Sequence, residues 1–358
     1  MISTQLLKKC IDDLAGITKI MFTVYDTAGA PVVMTADSPV TDAQMIAHFA
    51  ASPVDSQIIG DCYLLKVLED GEPAFVVAAT GSGDNTLMIA RIAVSEIETL
   101  MATSHERNDR SSYFQNLLLD NLLLVDITGQ AKKLHVEFNK RRGIILFDAD
   151  TNPYDTTASE LMQEMFREQN GDYLTAIDTG SVILIKALEE NESYERLEEV
   201  AGMAVDTLET EAMLRVRASY GTIAENLKGL SASYKEARMA MDCGKIFYAE
   251  KKVISYNRLG IGRLIYQLPP SLCETFITEV FEGHRVPDDL DSEELNTIHT
   301  FFENNLNVSE TARQLFIHRN TLVYRIEKLQ KECGLDIRDF REAMTLRIAL
   351  MILQYMRR

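Results

Sequence analysis

Apolar spacing changes its period several times along the 358 residues. Leu6, Leu7, Cys10, Ile11 and Leu14 recur at helical steps. Strand-like runs follow at 20–26 and 32–34, across the turn Ala28-Gly29-Ala30-Pro31, and again at 62–68 and 74–80 around Gly71. Thr41 and Asp42 are set to cap a short helix over 43–50. From Thr86 to about Met101, Ile89, Ala93, Ile97 and Leu100 form a helical seam. Such a seam packs on its own domain or pairs with a second copy of the chain. The polar stretch His105 to Ser112 predicts a break.

Beyond it, 143–150 reads as a buried strand, 158–168 as a helix, and 173–177 and 182–187 as strands around Asp178-Thr179-Gly180-Ser181. A long helix over 192–214, a strand over 215–220 ending at Gly221, and helices near 230–243 complete this part. Pro269-Pro270 and Pro287 mark a connector containing one helix. The expected layout is therefore a domain over 1–103, a linker at 104–112, a domain over 113–269, a connector at 270–291 and a C-terminal domain over 292–358.

The last domain carries the most informative pattern. Leu295, Ile298, Phe301, Phe302 and Leu306 form one stripe. Ser309 is the expected cap of a short helix whose Ala312, Leu315 and Phe316 share a face, with Ile317 in the corner after it. A second helix starting near Arg319 or Asn320 turns Leu322, Val323, Ile326 and Leu329 inward, and Gly334 stops it. Its outward side holds Arg319, Asn320, Thr321, Tyr324, Arg325 and Lys328. Guanidinium, amide, hydroxyl, phenol and ammonium groups on one helical face suit base edges and phosphates, as in a helix-turn-helix placed in a DNA major groove. Arg319, Asn320 and Arg325 are the expected base contacts; Thr321, Tyr324 and Lys328 the expected phosphate contacts; His318 and Ser309 flank them. The closing helix from Phe340 to Tyr355 is apolar over a wide stripe, for core packing or a dimer contact.

Charge at first opposes this reading, because the net charge is −18. Its distribution reverses the conclusion. Residues 307–358 hold ten Lys/Arg against six Asp/Glu, a net of +4, leaving −22 elsewhere. An acidic bulk restricts DNA to the one basic module and makes binding salt-sensitive. With 46% hydrophobic and 25% charged residues the composition is that of a soluble globular protein. No run approaches a membrane span, and Lys8-Lys9 is not followed by the apolar stretch of a signal peptide. Five scattered cysteines show no metal or disulfide spacing, so a reducing cytoplasm is expected. There is no phosphate-binding loop, dinucleotide fingerprint, nucleophile elbow or HExxH, so no catalytic residue, metal or cofactor is assigned.

The run Asn307-Val308-Ser309, Thr311-Ala312, Leu315, Ile317-His318-Arg319-Asn320-Thr321-Leu322, Tyr324-Arg325-Ile326 and Lys328-Leu329 closely resembles the C-terminal module of the PucR/CdaR family of bacterial transcription regulators. Phe316 departs from the Gly many such corners carry. The middle domain, with Ser233-Tyr234-Lys235-Glu236-Ala237-Arg238, resembles the degenerate GGDEF-like α/β domain of the same family. Element order in the first domain resembles PAS/GAF-like sensor domains. The resemblance implies an α+β multidomain regulator that binds double-stranded DNA as a homodimer or higher oligomer and responds to a small metabolite of unknown identity. Arg91 is the only arginine before Thr103, which weakens a diacid effector, and no ligand-binding residue is assigned. The alternatives are a cyclic-dinucleotide-related enzyme or binder, or a signalling adaptor. For a cyclase, Asp148 and Asp150 stand where metal carboxylates belong, but the hairpin Asp178-Thr179-Gly180-Ser181 lacks the second Gly and the acids, so enzymatic activity is not expected.

Overall fold

The structure is a computed structural model that describes residues 4–36, 38–81, 83, 85–149, 161, 162, 165, 166, 171–178, 180–287 and 290–357. Asp150, Thr179 and most of the helix expected at 158–168 lie outside the described residues. The chain divides into two compact units, Met1–Tyr113 and Phe114–Arg358.

In the first unit, strands β1 (Met21–Asp26), β2 (Pro31–Met34), β3 (Ser56–Ile59), β4 (Cys62–Glu69) and β5 (Glu72–Thr80) form an antiparallel sheet in the order β2-β1-β5-β4-β3. The strand β3 has no counterpart in the sequence expectation, because four residues with two outward-facing positions carry little alternation. Helices α1 (Thr4–Thr18) and α3 (Thr86–Leu118) cover one face, where Leu7, Ile11, Ala93 and Ile97 pack on Phe22, Val24, Val67 and Val77. Helix α2 (Ala43–Ala51) covers the other, with Ile46 and Phe49 on Tyr25, Leu64 and Val76. The seam of α3 is therefore used within its own unit. Asp42 caps α2, accepting from the Gln44 amide at 2.8 Å. The polar stretch at 104–112, expected as a break, is helical, because α3 runs on to Leu118. Polar residues such as Glu106 and Arg110, paired at 3.2 Å one turn apart, sustain an exposed helix as readily as a loop.

In the second unit, α4 (Leu124–Lys133) precedes a five-stranded sheet built from β6 (Arg142–Ala149), β7 (Tyr173–Thr175), β8 (Ser181–Ala187), β9 (Val216–Tyr220) and β10 (Val253–Ser255). Its order is β10-β9-β6-β8-β7, with β9 and β10 parallel and the other pairs antiparallel. Helix α5 (Tyr194–Glu211) buries Leu197, Ala201, Ala204 and Leu208 against one face. Helix α6 (Leu230–Phe247) lies close to β9, where the Ser219 hydroxyl donates to the Ala237 carbonyl at 2.7 Å.

The C-terminal part is all helical: α7 (Gly262–Tyr266), α8 (Pro270–Val280), α9 (Ser292–Glu303), α10 (Val308–Gln314), α11 (Arg319–Cys333) and α12 (Phe340–Met356). One apolar core joins Cys273, Ile277, Phe281 and Leu290 of the 270–291 segment to Ile298, Phe301, Leu322, Ile326, Leu329, Leu346, Ala349 and Ile352. The wide stripe of α12 is thus occupied by α7 and α8 as well as by its own module. Tyr266 ties the layers together, donating to Asp242 of α6 at 2.8 Å while its ring stands 5.9 Å from that of Tyr355 in α12.

Candidate DNA-binding surface

The sequence builds the helix pair α10–α11 through caps at every end. Asn307, two residues before the expected cap Ser309, is the N-cap of α10, accepting from the Ser309 and Glu310 amides at 3.0 and 3.1 Å. Ser309 lies inside the first turn and is exposed; its hydroxyl is not the cap, because Asn and Ser serve that position about equally and only the chain path selects between them. Helix α10 ends at Leu315. The Phe316 amide donates to Arg313 and the Ile317 amide to Ala312, at 3.2 and 3.0 Å, which closes a Schellman-type corner.

That corner sets Phe316 at φ 56°, in the left-handed region, with its ring 95% exposed rather than on the inner face with Ala312. The observed corner has the backbone of the usual Gly turn, carried by a residue disfavoured there. Phe316→Gly is expected to stabilise the module by about 0.5 kcal/mol, the left-handed penalty less the extra freedom Gly adds to the unfolded chain. A rise in the urea midpoint checks this; a fall means the corner holds no such strain.

His318 caps α11, its Nδ1 accepting from the Asn320 amide at 3.2 Å. This is a local structural duty that the outward-facing pattern did not reveal. Leu322, Ile326, Leu329 and Cys333 are buried, Val323 is only half-buried, and Gly334 ends the helix at φ 78°. Burial pushes the Cys333 thiol up to about 11, so it stays protonated within the core. The free arc presents Arg319, Asn320, Thr321 and Tyr324, all exposed, with Tyr324 at 68%; Lys331 joins them.

Two members of the expected face are engaged inside the protein. Arg325, with its side chain 26% exposed, donates through Nη2 to Glu293 Oε1 at 2.5 Å. Lys328 reaches Glu294 at 2.6 Å and Glu332 at 3.6 Å. Glu294 also completes a capping box with Asp291, accepting its amide at 3.1 Å while Asp291 accepts that of Glu294 at 2.8 Å. Arg285 closes the cluster, 2.9 Å from Glu332 and 3.5 Å from Glu294. The first turn of α9 thereby holds one flank of α11. Sequence reading missed Glu293 and Glu294 as partners because they lie more than thirty residues from Arg325 and Lys328.

The buried Glu294 carboxylate is held below the ordinary glutamate value of 4.5, chiefly by its hydrogen bond from Lys328. A depressed acid contributes stability that is present above its unfolded value and is lost as pH falls through the folded one. Melting curves taken from about pH 6 down to about pH 3 should show the wild type converging on Glu294→Gln at the acid end, since carboxylates titrate there. A gap that persists at low pH rules the carboxylate out as its source.

In the middle domain, Asp148 is ion-paired with Lys245, and Asp178 accepts from the Gly180 amide and the Ser181 hydroxyl at 3.2 and 2.6 Å. Among the described residues no three His, Cys, Asp or Glu side chains gather as a metal site, and no helix is long and apolar enough to cross a membrane.

A capped helix pair with a free polar arc, joined to an α/β domain, defines a helix-turn-helix protein with a GGDEF-like companion. Comparison with known families agrees: residues 295–352 match the PucR C-terminal helix-turn-helix domain and residues 122–243 match the GGDEF-like domain. The chain thus pairs the two domains of PucR/CdaR-type transcriptional regulators. It is 23% identical over 302 residues to the Escherichia coli carbohydrate diacid regulator, covering 79% of this chain and 77% of that one. It is also 23% identical over 257 residues to the Bacillus subtilis purine catabolism regulatory protein, covering 68% of this chain and 48% of that one. The B. subtilis proline-responsive transcriptional activator PutR is 28% identical over 132 residues, 36% of this chain and 32% of its own length.

Proposed function

We propose that the chain binds operator DNA as a homodimer through the N-terminal half of α11, and that residues 1–103 act as a sensor domain for a small metabolite, controlling a catabolic or transport operon in the cytoplasm. One helix-turn-helix module covers little DNA, and pairing two places their recognition helices about 34 Å apart on successive turns. The observation that carries the reading is the exposed run Arg319, Asn320, Thr321 and Tyr324 at the start of a helix whose backbone is already capped by His318. These side chains have no described duty inside the first turn of α11 and match base-edge and phosphate chemistry. Similarity to a carbohydrate diacid regulator, a purine catabolism regulatory protein and a proline-responsive activator supports a metabolite effector. The role is regulatory, not enzymatic: Asp148 is taken up by Lys245, and the hairpin at 178–182 carries no paired acids.

The test is fluorescence anisotropy of the full chain with its own upstream region over a salt series. The expected result is nanomolar binding whose log affinity falls linearly with log salt, as phosphate neutralisation requires. Equal, weak binding to upstream and unrelated fragments would sink the operator reading.

A further inference from the structure

We propose that Glu293 is a positioning residue for base recognition: it pins the Arg325 guanidinium so that the fork's opposite edge meets O6 and N7 of a guanine. This rests on the DNA-binding reading above and adds to it a base identity and a residue outside the recognition helix.

Four observations carry it. The contact crosses from the first turn of α9 to the middle of α11, so it is a tertiary choice and not a neighbour effect along one helix. It is dispensable for the fold, because the start of α9 is already closed by the Asp291–Glu294 capping box and the flank of α11 by Lys328 on Glu294. Glu293 is itself 67% exposed, and exposed ion pairs add little to stability. What the contact does change is the freedom of a long side chain, which is ordered before DNA arrives.

Arg325 stands one turn after Thr321 and next to Tyr324, so it continues the free arc at the edge facing α9. The contact engages Nη2, and a guanidinium has five donors in a planar fork, so a two-donor edge remains. Guanine is the base whose major-groove edge offers two adjacent acceptors to such an edge. The carboxylate also decides what Arg325 is poor at. Paired with Glu293 it is close to neutral as a unit, so it contributes little to counterion release. Arg325 is then a reader of sequence more than a source of charge.

The experiment measures binding of the wild type, Glu293→Gln, Arg325→Lys and the double variant. The DNA is the upstream fragment carrying the footprinted site and a panel substituting each of its base pairs in turn. Unrelated DNA of the same length is the non-specific probe. The wild type should prefer one G·C pair over its alternatives by about 10-fold or more. Glu293→Gln should lose most of that preference at the same pair while binding unrelated DNA more tightly, since one negative charge has gone. Arg325→Lys should lose it too, and the double variant should lose no more than either single. A Glu293→Gln profile that keeps the base preference and only shifts all affinities together overturns the proposal, because that is the signature of charge alone. A wild type that binds operator while Arg325→Lys leaves every preference intact overturns it as well. A wild type that binds no DNA overturns both this and the reading beneath it, so the two failures are told apart by the wild-type lane.

Discussion

Gly221→Ala is expected to destabilise the second unit by on the order of 3 kcal/mol, since overpacking against backbone cannot relax by rotamer change. Gly221 follows β9 and is buried, its amide donating to Ile144 at 3.3 Å. A β-carbon there falls 2.0 Å from the Ser233 carbonyl oxygen and 2.8 Å from its carbon. Both atoms belong to the α6 backbone, so the helix must move off the sheet. That would also strain the Ser219–Ala237 hydrogen bond and the Thr222 amide's 2.8 Å bond to Glu236. Urea denaturation should show the midpoint falling by about 1–2 M, given a slope of a few kcal/mol per molar for a body of this size. Gly202→Ala is the matched control. It lies in α5 with no atom within 4 Å of the added carbon, and should raise stability by about 0.5–1 kcal/mol. Equal effects at both positions would mean that the close approach at Gly221 does not exist.

Asn320→Ala is expected to weaken operator binding by about 10- to 100-fold, the range of one good bidentate base contact. The fold should not suffer. The Asn320 side chain is exposed, its amide is already satisfied by His318, and Ala is the better helix former. The pairing that Asn makes best is with N6 and N7 of adenine, so the loss should concentrate at one A·T pair. Anisotropy on the upstream fragment, with a melting curve on the same sample, separates recognition from stability. Unchanged affinity in a variant of unchanged stability would remove Asn320 from the interface, and a uniform loss on all DNA would make it a phosphate contact.

How much of this could be read beforehand differs by element. Val24, Val67 and Val77 alternate or run apolar as buried strands do, and the sheets they predicted are present. Leu322, Ile326 and Leu329 were legible as the inner side of α11 for the same reason: burial demands a repeat of the backbone's own period. Three expectations failed where one residue type serves two structures. The polar run at 104–112 is a helix, not a break; Ser309 yielded the cap to Asn307; and Phe316 points out, because the corner turns its backbone to positive φ. Local propensity separates the first two choices by only fractions of a kcal/mol and opposes the corner at Phe316, so the path of the whole chain decides all three.

The chain's order of residues by itself determined the periodic elements, the apolar stripes, the basic excess of the last module and the string of groups offered by α11. Only tertiary structure decided which of those groups are free. Arg325 and Lys328 look alike with Asn320 on a helical wheel, yet α9 brings Glu293 and Glu294 against the first two and leaves the third open. Charge pairing depends on distance through space, and residues more than thirty positions apart acquire a distance only once the core between α9 and α11 has closed.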